Sequence, residues 1–190
     1  MPMNLFHQWL CNSAKWSAAV EEKLLPWALD GVEFGTDVLE IGPGYGATTR
    51  VLARQVPRLS VIEVDRDSAD GLRREYGDAI DVVHADATAM PLSGQRYDAV
   101  LCFTMLHHVP SPQDQDRLFA EAFRVLRPGG VFAGCDSVTS RRFRMIHLGD
   151  TCVPVPPESL PQRLRHAGFE APETSVSKTG SAFRFRAVRP

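Results

Sequence analysis

The sequence predicts an α/β fold: a doubly wound, mostly parallel sheet with helices on both faces, closed by a C-terminal antiparallel hairpin and preceded by a helical segment. Three observations predict it. From Gly31 onward, short apolar runs alternate with amphipathic stretches, the pattern of crossover units. The first run, Val38–Ile41, enters a glycine turn, Gly42-Pro43-Gly44-Tyr45-Gly46, that opens a helix. The last two runs flank Thr179-Gly180, a hairpin turn pair.

Residues Leu5 to Leu29 have helical periodicity, with a break near Cys11-Asn12-Ser13 that makes two helices and leaves Ser13 as an N-cap. Phe6, Trp9, Trp16 and Trp27 give this segment large apolar surfaces. They pack it on the main body or, alternatively, let it act as a lid over a ligand mouth. Strands follow at Val38–Ile41, Leu59–Val64, Ile80–His84, Tyr97–Phe103 and Val131–Cys135, with helices at Tyr45–Gln55, Ser68–Tyr76 and Pro112–Leu126. In the last helix Leu118, Phe119, Ala122, Phe123 and Leu126 gather on one side, and Arg127-Pro128-Gly129-Gly130 stops it. Pro154, Pro156, Pro157 and Pro161 punctuate the C-terminal third, which holds a short helix, Glu158–Ala167, and then the hairpin strands Ala171–Lys178 and Ser181–Val188. Seven strands result.

The 190 residues suit a single domain with a sizeable core. Hydrophobic residues are 44% and charged residues 23%, ordinary for a soluble protein. A formal net charge of −2 argues against nucleic acid as a general partner. Cys11, Cys102, Cys135 and Cys152 form no C-x-x-C pair, so buried free thiols in a reducing compartment are expected. The start, Met1 to His7, lacks a basic region followed by an apolar run, and no stretch approaches the roughly 20 apolar residues of a membrane span. These features point to a cytoplasmic protein; oligomeric state is not legible.

Ligands in an open parallel sheet lie beyond the carboxyl ends of the strands. The first strand brings Glu40 and the glycines, the second Glu63 and Asp65, the third Asp86-Ala87, the fourth Phe103 to His108, and the fifth Asp136-Ser137. Gly42 and Gly44 allow backbone angles closed to other residues, and the helix start offers N–H groups for a carboxylate or phosphate. Glu63 falls about 20 residues past the first glycine, where an acid can bind both ribose hydroxyls. Asp65 or Asp67 caps the next helix. Asp86 suits the exocyclic amine of a purine, or else forms an Asx turn. Together these describe an adenosine ligand. Gly42, Gly44 and Ala47 also fit the dinucleotide pattern. The turn lacks an adjacent Lys or Arg for phosphate, so a zwitterionic amino-acid tail fits better.

The set Val38–Gly46, Val61–Asp65, Asp86-Ala87, Tyr97–His108 and Leu126–Gly130 resembles the class I S-adenosylmethionine-dependent methyltransferases, most closely the small-molecule, type 11-like branch. The resemblance implies a Rossmann-like seven-stranded fold, with N-terminal helices at 1–30, a cofactor-binding core at 31–136, and a substrate-side segment with closing hairpin at 137–190. It implies that Gly42, Pro43, Gly44 and Gly46 hold the methionine end of S-adenosylmethionine, with Glu40 at its amine. Glu63 would bind the ribose, Val64 pack on the adenine, and Asp86-Ala87 hold its amino group. Phe103-Thr104 would line the methyl-donor side, and the product would be S-adenosylhomocysteine. His108 matches a histidine common after the fourth strand of this branch. No Asn-Pro-Pro-Tyr motif or appended recognition domain is present, which favours a small-molecule substrate and no nucleic acid.

Many methyl acceptors need a proton removed, and His107, His108 and His147 are candidate bases, with at most one of the adjacent pair expected to face the site. Trp9, Arg141 and His147 are candidate substrate contacts, and Arg141, Arg142 and Arg144 form either an anion-binding cluster or a solvated helix face. No metal is expected, because no H-x-x-x-H pair or carboxylate cluster accompanies the histidines. Two rivals remain open: a non-catalytic adenosine-ligand-binding protein, and an NAD(P)-dependent oxidoreductase, for which no Tyr-x-x-x-Lys pair is present.

Overall fold

Strands β1 (Asp37–Ile41), β2 (Arg58–Glu63), β3 (Asp81–His84), β4 (Tyr97–Phe103), β5 (Leu126–Ser137), β6 (Glu170–Val176) and β7 (Ala182–Val188) form one sheet in the order β3-β2-β1-β4-β5-β7-β6. The computed structural model describes residues 4–190, without the side chains of Leu5 and Phe6. The packing expected of Phe6, and the reading of the first three residues, therefore lie outside the described residues. β1 to β5 pair in parallel, and β7 runs antiparallel between β5 and β6. Strand order reverses between β1 and β4, which opens a crevice at their carboxyl ends.

The central strands are apolar because both faces are covered. Leu39, Ile41, Val100, Cys102 and Phe132 pack under α6 (Pro112–Val125) and α8 (Leu160–His166). The alternate residues Val38, Ala99, Leu101, Phe103 and Ala133 pack under α4 (Thr49–Gln55), α5 (Arg66–Tyr76) and the N-terminal helices. This two-residue alternation is the strand period made visible by burial. Cys102 and Cys135 are buried free thiols, as their apolar runs imply. No helix among the described residues is long and apolar enough to cross a membrane.

Several boundaries differ from the sequence reading. The helix after the glycine turn starts at Thr49, not Tyr45, because Gly44 and Gly46 hold φ of 55° and 76° and keep the chain turning. β5 begins early, at Leu126. Gly129 N–H donates to Arg189 O at 2.8 Å and Arg189 N–H to Gly130 O at 2.9 Å, so Pro-Gly-Gly is drawn into the sheet. The N-terminal segment is α1 (Leu5–Cys11), then α2 (Ala14–Ala19), which widens into a π turn over Val20–Leu24 before α3 (Leu25–Ala28). Pro26 accounts for the widening, since its ring cannot sit in a regular helical ladder. Ser13 caps α2, accepting from Trp16 N at 3.1 Å, and Asp65 caps α5, accepting from Ser68 N at 2.9 Å.

Glu40 shares its face of β1 with Val38 and so enters the core under α4. It is 1% exposed and accepts hydrogen bonds from the Thr48 hydroxyl and, at 2.7 Å, from Thr49 Oγ1. Burial pushes its carboxyl up to about 7, against the pull of the two hydroxyls.

Two stability predictions follow from this packing. A Cβ at Gly134 would lie 1.8 Å from the Cys102 carbonyl oxygen. Gly134→Ala must therefore separate β4 from β5, and urea unfolding should show a loss of about 3 kcal/mol or more. Glu40, with its folded-state pKa above the ordinary value, holds a proton that the unfolded chain releases. Its contribution therefore falls as pH rises from about 4.5 through about 7 and is level above. Urea melts at pH 5 and pH 8 should show Glu40→Gln without this decline, which in the parent is of the order of 3 kcal/mol.

Candidate functional site

A cleft of about 940 Å³ opens at the carboxyl ends of β1, β2 and β4, within the range of small-ligand sites. It joins a smaller apolar recess of about 140 Å³ through shared walls at Gly42, Val64 and Met105. Val64, Asp86 and Ala87 line the recess. Gly42, Pro43, Gly44, Glu63, Phe103 and Thr104 line the cleft, and its far end carries His7, His107, His108 and His147.

Each position has a local cause. Glu63, last residue of β2, accepts from Gly44 N at 2.9 Å and from Asp65 N at 2.8 Å, and so ties the glycine turn to the next strand. Val64 follows it and is 43% exposed, so its side chain is open to the recess that it lines. Asp86 Oδ1 accepts from Thr88 N at 2.8 Å, the Asx turn, so that reading holds alongside the placement in the recess. Thr104 has φ of 50°, strained for a β-branched residue, and is pinned by donating its N–H to Cys135 O at 2.8 Å.

Four expectations need correction. Glu40 does not reach toward the cleft; the core takes it, as described above. Gly46 serves packing, since a Cβ there would meet Leu72 Cδ2 at 2.8 Å. Its amide, with those of Gly42 and Gly44, is already bonded within the fold, to Pro43 O, Ile62 O and Glu63. Trp9 is 66% exposed and outside the cleft lining; the break at Asn12-Ser13 brings Trp16 there instead. Arg141 is also outside the lining. The helix α7 (Arg141–Ile146) presents Phe143 and Ile146 to the cleft and leaves Arg141, Arg142 and Arg144 exposed, the solvated face.

His107 and His108 both line the cleft, where the sequence reading admitted one. They sit in a tight 3₁₀ turn, Leu106–His108, which brings their rings 4.2 Å apart. Asp136, at the end of β5, accepts from His107 N at 3.0 Å and lies 2.5 Å from His107 Nδ1. His147 Nδ1 lies 2.8 Å from Phe143 O, and His108 Nδ1 3.2 Å from Thr151 O. Burial holds the His108 imidazole down to about 3, with His107 and His7 adding to the effect. Burial also lowers His147.

His7 escaped the sequence reading. It comes from α1, and its Nδ1 is 2.8 Å from Asp150 Oδ2. His7, His108 and His147 can each offer one ring nitrogen, and these three nitrogens lie within 4.8 Å of one another. A search for paired histidines at helical spacing could not find them, because three separate segments supply them.

Residues 39–134, half of the chain, match a family model described as a methyltransferase domain (Methyltransf_11). A Mycolicibacterium smegmatis protein named "Probable S-adenosylmethionine-dependent methyltransferase" is 30% identical over 148 residues, 74% of this chain and 54% of that protein. The ribosomal RNA small subunit methyltransferase A of Cupriavidus pinatubonensis is 54% identical, but over 54 residues, 28% of this chain and 19% of that one. The chain thus spans about half the length of the first relative and a fifth of the second. Among solved structures, a chain of the Haloferax volcanii complex containing the Trm112 methyltransferase activator covers all of this chain and is itself fully covered, with TM-score 0.78 and 16% identity. Phosphoethanolamine N-methyltransferase 2 of Haemonchus contortus, in complex with S-adenosyl-L-methionine, covers 98% of this chain over 60% of its own length, with TM-score 0.71 and 16% identity. The matched segment contains the glycine turn, Glu63, Asp86 and the strand-end residues of β4, all gathered on one crevice. The chain belongs to the class I S-adenosylmethionine-dependent methyltransferases.

Proposed function

We propose that the protein transfers a methyl group from S-adenosylmethionine to a small molecule carrying an O, N, S or C nucleophile. One observation carries the reading: an apolar recess beside Asp86 shares its walls at Gly42, Val64 and Met105 with a cleft lined by Glu63, the glycine turn and four histidines.

The residues fit the cofactor. Two backbone amides occupy Glu63, and a carboxylate accepts about four hydrogen bonds, so lone pairs remain for ribose hydroxyls. Asp86 spends Oδ1 on Thr88, leaving Oδ2 for an adenine amine. Val64 and Ala87 supply apolar walls for the ring. When bound, S-adenosylmethionine supplies a methyl group made reactive by its sulfonium. The protein then aligns the acceptor and excludes water, with Phe103 and the pinned Thr104 facing the donor and α1 closing one side.

His107 is the best-placed proton acceptor. Asp136 fixes its Nδ1–H, and its Nε2, 3.0 Å from His147 Nε2, is the ring nitrogen left to exchange a proton with the acceptor. His108, held low by burial, is a poor base. A small acceptor is favoured because α1 and α7 wall in the histidine end. The short match to the ribosomal RNA enzyme covers too little of that protein to support RNA as substrate.

Calorimetry should show binding of S-adenosylmethionine and S-adenosylhomocysteine and none of NAD; binding of NAD alone would replace this reading. Glu63→Ala and Asp86→Ala should each weaken S-adenosylhomocysteine tenfold or more, about 1.4 kcal/mol. A labelled-methyl screen of phenols, amines, thiols and carboxylates should identify an acceptor; cofactor binding without any transfer would favour the non-catalytic binder. With that acceptor, His107→Ala should lower kcat at least a hundredfold while cofactor affinity stays within a factor of three.

A further inference from the structure

The structure assigns a second site to the histidine end: His7, His108 and His147 form a binding site for one first-row divalent transition-metal ion of the zinc type. The inference concerns metal binding alone and stands apart from methyl transfer.

Proton positions carry it first. Nδ1 of His7 faces Asp150 Oδ2 at 2.8 Å, Nδ1 of His147 faces Phe143 O at 2.8 Å, and Nδ1 of His108 faces Thr151 O at 3.2 Å. Each acceptor is a carboxylate or carbonyl, so each Nδ1 carries the hydrogen and each Nε2 keeps a lone pair. A ligating histidine is oriented in this way, with its other nitrogen donating to a carboxylate or carbonyl.

Next comes a mismatch that a cation resolves. His107 Nδ1 donates to Asp136, so its Nε2 is also an acceptor, yet it lies 3.0 Å from His147 Nε2. Two lone pairs face each other in a buried place. A single proton would satisfy that one pair and leave the nitrogens of His7 and His108 without a share in it. A divalent cation held by His7, His108 and His147 engages the His147 lone pair together with those of the other two and leaves His107 Nε2 beside it as a further donor. Asp150 behind His7 and Asp136 behind His107 balance its charge.

Geometry and chemistry agree. One ring nitrogen from each of the three lies within 4.8 Å of the others. Zinc–nitrogen bonds of about 2.0–2.1 Å at tetrahedral angles bring nitrogens to about 3.3 Å, so the rings close by the order of an ångström. All-imidazole donors select zinc, cobalt, nickel or copper over magnesium or calcium.

The test uses the full chain stripped with a chelator. Calorimetry should find one equivalent of Zn²⁺ bound and no Mg²⁺, and Zn²⁺ alone should raise the melting temperature. Co²⁺ should give four-coordinate ligand-field bands without thiolate charge-transfer absorption. His7→Ala, His108→Ala and His147→Ala should each weaken Zn²⁺ at least a hundredfold, and Asp150→Asn about tenfold. His166→Ala, on the exposed end of α8, should change nothing. Melting of each metal-free variant checks that it folds, and Asp150→Asn keeps all three ligands if an alanine variant does not. No Zn²⁺ bound by the parent, or Zn²⁺ affinity unchanged in the folded variants, overturns the assignment. Thiolate absorption with Co²⁺ also overturns it, by moving the ion to a cysteine. Cofactor binding measured without metal tests the methyl-transfer reading separately.

Discussion

Two carboxylates grip the glycine turn, and the rest of the crevice depends on that grip. Glu40 holds the far side of the turn from inside the core through the hydroxyls of Thr48 and Thr49. Glu63 holds the near side through Gly44 N at 2.9 Å. A chain that turns through three glycines at positive φ has a large conformational entropy to lose, and hydrogen bonds to charged or buried carboxyls are among the few local interactions strong enough to offset it. The same tie fixes the tip of β2 against the tip of β1, which sets the width of the recess beside Val64. Glu63 therefore shapes the crevice in addition to facing it.

The order of strands and helices was legible because buried parallel strands and amphipathic helices have distinct periods, and because Gly42 and Thr179-Gly180 mark turns chemically. The cleft residues of β2 and β4 were legible for the same reason: strand ends can be counted. Glu40 was misplaced even though its parity with Val38 was visible, because the sequence does not say which face of β1 lies under α4. The paired histidines were misjudged because neighbouring side chains in a strand or open turn diverge, whereas this 3₁₀ turn brings both rings to the cleft. Trp16, not Trp9, lines the cleft because the helix break between them resets the face each helix shows to it.

His7 illustrates a different limit. Its partner Asp150 is 143 residues away, and no local pattern links an N-terminal helix to the loop after α7. Such a contact exists only after the sheet has brought both ends of the cleft together. Residues that meet across a crevice leave no spacing for sequence reasoning to detect, and a metal search by motif fails there for that reason.

That contact also decides what kind of cover the N-terminal helices provide. Asn4 caps α1 by accepting from His7 N at 2.9 Å, and it donates its side-chain amide to Ile146 O at 2.8 Å. Asp150 accepts from Asn4 N at 2.5 Å and faces His7 Nδ1. The residue that starts the helix thus also docks it, and the acid that docks it also orients His7. Hydrogen bonds to a charged group contribute about 1.5–3 kcal/mol each, so a few of them hold a short helix in place. If α1 lifts, the cleft loses its wall and one of its histidines in the same movement. The docking of α1 and the assembly of the histidine end therefore rest on the same contacts, and an ion held by the three histidines would add to them.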